Sequence, residues 1–97
     1  MAFILIVFIE FKNKFDKDLF IQKFKEYQKY CLEEEADFLY QFEYAVSDKQ
    51  LNKITIIEKF KNKYCYLNIH RESKEFKKFK QETKNIDKMI TGESFLS

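Results

Sequence analysis

The run Phe3-Ile-Leu-Ile-Val-Phe-Ile-Glu-Phe-Lys12 decides the fold. It is short, and its residues are β-branched or aromatic almost throughout, which predicts a strand. Phe3, Leu5, Val7, Ile9 and Phe11 fall on one face, Ile4, Ile6 and Phe8 on the other. A strand that is apolar on both sides has to be covered on both sides.

Working outward, Asp16 is placed to cap a helix by offering its carboxylate to the free N–H groups of the first turn. Phe20, Phe24, Tyr27 and Cys31 then recur at helical spacing, with Lys and Glu between them. The acidic cluster Glu33-Glu34-Glu35 ends that pattern, and Asp37 opens a second strand. Strict alternation there puts Phe38, Tyr40, Phe42, Tyr44 and Val46 on one face. Ser47 to Gln50 is a polar turn of hairpin length. Leu51 to Phe60 reads as a third strand, with Ile54, Ile56, Glu58 and Phe60 sharing a face. Asn62 caps a short helix through about Arg71, and Ser73 caps a continuation carrying Phe76, Phe79 and Ile86. Met89 to Leu96 closes the set as a strand that contains the only glycine, Gly92. The order β-α-β-β-α-β predicts an α+β, ferredoxin-like fold with a four-stranded antiparallel sheet, one domain over residues 1–97.

Two helical segments can cover only one face of such a sheet. Full burial is worth about 1.5–3 kcal/mol per large apolar side chain. Leaving Ile4, Ile6 and Phe8 wet would therefore forfeit an amount comparable to a domain's net stability of about 5–15 kcal/mol. A second copy packed sheet against sheet is the simplest cover, so a homodimer is expected.

Composition narrows the function classes. Apolar residues make up 45% of the 97, which excludes a disordered chain. Lys+Arg number 18 and Asp+Glu 16, a net charge of +2, too balanced for a domain built around phosphate backbones. All but one of the basic residues are Lys, the exception being Arg71, and Glu58, Glu72, Glu75 and Glu82 interleave with the Lys-rich stretches. The longest apolar run, Ala2 to Ile9, is far short of the roughly 20 residues that span a bilayer. It also lacks the flanks of a secretory signal, so a soluble, cytoplasmic protein is expected. Cys31 and Cys65 are then expected as small buried hydrophobes rather than a disulfide. One His and no C-x-x-C or H-x-x-E-H spacing predict no metal.

Ile57-Glu58-Lys-Phe60, followed by Tyr66-Leu-Asn-Ile-His70-Arg-Glu-Ser73-Lys-Glu-Phe76-Lys-Lys-Phe79, resembles the antibiotic biosynthesis monooxygenase family. There a strand ends in Glu and an aromatic, and is followed by a helix with His, a small polar break and a Phe-x-x-Phe-like turn. The resemblance implies a dimeric α+β barrel with a pocket between sheet and helices, and activities such as cofactor-free oxygenation of quinols and anthrone-like phenols. Two departures matter. Phe60 stands where the family often has Trp, so ring stacking remains without an indole donor. The haem-degrading branch uses a first-strand Asn and a later His where this chain has Phe11 and Lys80, and His70 occupies the place of that branch's Trp. The resemblance therefore disfavours haem cleavage.

A phenolate or dihydroxy-aromatic anion can supply an electron to oxygen itself, so the protein needs an apolar pocket and one base, with no cofactor. His70 is the only side chain whose ordinary pKa lies near neutrality and is the candidate base. Glu58 is the candidate partner orienting its ring, and Phe60, Tyr66, Leu67 and Phe76 are the candidate substrate-binding walls. The reading is a cofactor-independent monooxygenase of a small quinol or phenol. Its alternative is a non-catalytic dimer of the same fold that binds a small molecule or a protein. A lone helical His and an aromatic helix face also occur in ordinary cores. RNA binding, which shares this element order, is disfavoured because the third strand has no Gly and is mostly aliphatic.

Overall fold

The computed structural model describes residues 1–97. Strand β1 (Phe3–Phe11) leads into helix α1 (Lys14–Glu34), strands β2 (Leu39–Val46) and β3 (Lys53–Phe60), the short helix α2 (Lys63–Cys65) with a π-helical turn Tyr66–His70, helix α3 (Lys74–Thr83) and strand β4 (Lys88–Leu96). The strands form one sheet in the order β2-β3-β1-β4, antiparallel throughout. This is the ferredoxin-like α+β arrangement expected from the sequence.

Capping explains most of the boundaries. Asn13, not Asp16, caps α1: its Oδ1 accepts from the Asp16 backbone N–H at 2.9 Å, which makes Asp16 a first-turn residue stabilised by the helix dipole. Asn62 accepts from Cys65 N at 2.9 Å and Ser73 from Phe76 N at 3.0 Å, as their positions predict. Helix α3 stops at Thr83, so Ile86 lies in the following turn rather than on the helix, although it is buried in the core.

The β1–β3 register pairs Leu5 with Glu58, Val7 with Ile56 and Ile9 with Ile54. It puts the odd-numbered positions of β1 and Ile54, Ile56, Glu58 and Phe60 on the face covered by α1 and α3. Strand β2 departs from strict alternation. A bulge between Leu39 and Gln41 inserts one unpaired residue, so Leu39 and Phe42 both face the core while Tyr40 is exposed. A bulge shifts the side-chain phase by one. Face assignments extrapolated from Phe42 therefore fail before residue 41.

Phe20, Phe24, Tyr27, Phe42 and Phe79 knit the helices to the sheet through stacked and edge-on ring contacts, with Tyr27 and Phe79 stacked at 4.6 Å. The other face carries no element. Ile4, Ile6 and Ile57 are only half-buried there, and Phe8 and Phe95 are 49% and 43% exposed. No helix is long and apolar enough to cross a membrane.

Candidate active site

Between β1 and the two long helices lies a cavity of about 220 Å³. Leu5, Val7, Ile9 and Ile56 form its floor and Phe20, Phe24, Phe76 and Phe79 much of its roof. Glu58, Tyr66, Tyr27 and His70 meet at one end. A larger, shallower groove, about 520 Å³, runs past Phe8, Thr55 and Thr91, and contains none of these groups.

His70 reaches the cavity because of its backbone. It is the last residue of the π-helical turn, in which the Arg71 N–H bonds to the Tyr66 carbonyl, five residues back, at 3.0 Å. A π turn fits an extra residue into the helix and recurs at functional sites. The sequence predicted an ordinary helix here. The His70 side chain is almost fully enclosed, with Phe60, Phe76 and Phe42 rings 4.9, 5.6 and 5.7 Å from its own.

Three polar groups meet its two nitrogens. Nδ1 lies 2.7 Å from Glu35 Oε1. Nε2 lies 3.0 Å from the Tyr27 hydroxyl and 3.8 Å from Glu58 Oε1. Burial holds the Tyr27 phenol far above its ordinary pKa, so it stays protonated. In the tautomer whose Nδ1–H donates to Glu35, Nε2 carries the lone pair and accepts from the phenol.

Glu35 is therefore the carboxylate that orients His70, the role the sequence reading gave to Glu58. Its backbone is fixed at the end of α1, where its N–H bonds to Cys31 O and its carbonyl accepts from Phe38 and Leu39. Glu58 instead faces the cavity. Burial, and after it the nearby Glu35 charge, push its carboxyl up to about 8.

Of the predicted walls, Tyr66 and Phe76 line the cavity. Phe60 does not. It is wholly buried behind His70, tilted against Tyr66 at 5.1 Å, and supports the imidazole from the rear. Leu67 lies on the outward side of the π turn and is partly exposed. Tyr27 and Glu35 were missed as site residues, yet Tyr27, Cys31 and Glu35 continue the four-residue spacing of the buried face of α1.

Cys31, Glu35 and His70 place three candidate metal-ligating atoms within 4.8 Å of one another. The donor set fits a metal poorly. Burial pushes the Cys31 thiol well up, against the thiolate that ligation requires, and the Glu35–His70 contact is already a short hydrogen bond. Both cysteines are free and buried.

The model of the antibiotic biosynthesis monooxygenase family matches residues 2–82. The chain belongs to that family. Among solved structures, this family member superposes on a candidate monooxygenase of Lactobacillus acidophilus NCFM with a TM-score of 0.88 at 18% identity, covering 98% of this chain and 44% of the other. The chain thus spans less than half the length of that relative. A candidate antibiotic biosynthesis monooxygenase of Bacteroides thetaiotaomicron VPI-5482 gives 0.82 at 16%, covering 98% and 89%. A dimeric ferredoxin-like protein from an uncultured marine organism gives 0.73 at 15%, covering 99% and 89%. At these identities the likeness shows the fold alone. No protein of curated function matches the sequence.

Proposed function

We propose that this family member is a cofactor-independent monooxygenase of a small quinol or phenol, with His70 as the base. The observation that carries the reading is the convergence of His70 and Glu58 on one apolar cavity, with the imidazole held by Glu35. Nε2 removes the phenolic proton once the substrate displaces the Tyr27 hydroxyl, while Glu35 accepts from Nδ1–H. The electron-rich ring carbon of the phenolate bonds to oxygen and forms a peroxide. His70 passes the phenolic proton to that peroxide and then takes the hydrogen from the same carbon. The C–H bonding pair forms the new C=O as the O–O bond breaks, leaving a quinone and water. The phenol supplies all four electrons, so the balance is phenol plus dioxygen to quinone plus water, with no outside reductant. Glu58, protonated below about pH 8, supplies the proton to the departing oxygen. Tyr66 and Phe76 are the stacking walls.

The protein acts as a homodimer in this reading. Support comes from the uncovered face bearing Ile4, Ile6, Phe8 and Phe95, and from the dimeric relative of the same fold. Two copies meeting there would bury what the helices leave open.

The test is oxygen consumption by chelator-treated protein supplied with hydroquinone or 2-methylhydroquinone. Catalysed uptake with the hydroxylated quinone formed in equal amount and no hydrogen peroxide released is expected. Quinols that stabilise the protein against heat without consuming oxygen would instead favour the non-catalytic binding module, whose support is the same cavity.

A further inference from the structure

The cavity is chemically lopsided. Its acid–base end sits where Glu58 pairs with Leu5, whereas its other end, at the register of Ile9 and Ile90, is lined by Lys80, Thr83 and Lys88. Those registers are four residues apart on β1, roughly 13 Å at about 3.3 Å per residue. The Phe76 ring bridges much of that distance, with the Lys80 ammonium 6.0 Å from its centroid and the His70 ring 5.6 Å away.

The two lysines have no carboxylate of their own. Glu82 pairs with Lys23 at 3.9 Å and Asp87 with Lys12 at 3.7 Å. Lys88 Nζ is held by the Thr83 and Ile86 carbonyls at 2.6 and 3.0 Å and lies over the Phe20 ring. Burial, then repulsion from Lys80, lowers its pKa, while Asp87 opposes this. Two mutually repelling ammonium groups beside an apolar cavity, neither of them in an ion pair, form a place for an anion.

We propose that the cavity takes a hydroxylated aromatic carboxylate, its carboxylate seated between Lys80 and Lys88 and its ring hydroxyl presented to His70. This inference rests on the reading of His70 as proton acceptor. A cavity of about 220 Å³, below the roughly 300–1,000 Å³ of drug-sized sites, suits one or two fused rings rather than a larger polycycle.

The experiment compares anaerobic binding of 2,5-dihydroxyphenylacetate with that of its methyl ester by calorimetry, in parent protein, Lys80→Met, Lys88→Arg and Lys88→Met. The acid is expected to bind at least about tenfold more tightly, as one charge-assisted contact requires. Lys80→Met should shrink that margin, Lys88→Arg keep it, and Lys88→Met, where it folds, reduce it further. Equal affinity for acid and ester, a margin unchanged in Lys80→Met, or no binding of the acid overturns the inference. Oxygen uptake by the parent is read separately. Acid preference without turnover sinks the oxygenase reading alone, and turnover of a neutral quinol without acid preference sinks this inference alone.

Discussion

His70 Nδ1 and Glu35 Oε1 lie 2.7 Å apart, both side chains buried, although 35 positions separate them in the chain. Every other relationship at the acid–base end follows from that contact. It fixes the ring plane, turns Nε2 toward the Tyr27 hydroxyl and Glu58, and puts the charge that raises Glu58 beside it.

Glu35→Gln should keep the fold and lose turnover. The amide preserves shape but replaces an ionic acceptor with a neutral one that can present its NH₂ group to Nδ1 instead. A charge-assisted hydrogen bond is worth about 1.5–3 kcal/mol, so turnover should fall by about 10- to 100-fold while KM changes little. Steady-state kinetics on a quinol, with a melting curve as control, separates this from simple unfolding.

Stability should fall as pH rises between about 4.5 and 8. Folding raises the Glu58 pKa, so the native state binds the proton more tightly than the unfolded chain. Its contribution is complete below the unfolded value and lost as pH climbs through about 8. Glu58→Gln removes this dependence, and its melting temperature relative to the parent should improve from pH 5 to pH 9. Parallel slopes for both proteins would contradict the assignment. In turnover, the alkaline limb near pH 8 should likewise disappear in the variant.

The elements could be read from the sequence because each reports locally. Unbroken apolar character marked β1, and the Asn62 and Ser73 caps marked the second helical unit. Glu58 and His70 were legible as candidates for the same reason, one on an alternating strand and the other the only imidazole, and both line the cavity. Glu35 was hidden in Glu33-Glu34-Glu35, a run that reads as a solvated helix end. Only the four-residue spacing from Tyr27 and Cys31 distinguishes the inward member from its exposed neighbours. The β2 bulge and the π turn had no comparable signature. Each inserts a residue into a regular period, and tertiary packing sets where that happens.

Tyr27→Phe should cost about 1 kcal/mol of stability, the usual net worth of one hydrogen bond, because the Tyr27–Phe79 stack survives. Its turnover should exceed that of His70→Ala, since the hydroxyl does not accept the substrate proton. Denaturant melts and kinetics on both variants check the order.

Ile6→Asp should leave a folded monomer. The position lies on the uncovered face, paired with Ile57 and Glu93 across the sheet, and in a two-fold dimer the substitution would bury a carboxylate from each copy. Unpaired buried charge costs about 3–5 kcal/mol, and each dimer would bury two, so the dimer should weaken by about 10,000-fold or more. Sedimentation across a concentration series measures it, and an unaltered dimer would place the interface elsewhere.

The most direct test of proton removal by His70 is the absorption spectrum of bound 4-nitrophenol, at a pH where the free compound is mostly neutral. In the parent protein the bound ligand should show the yellow anion's band, and in His70→Ala the neutral phenol's band at comparable occupancy. A neutral spectrum in both proteins, or the anion retained without the imidazole, would contradict the account.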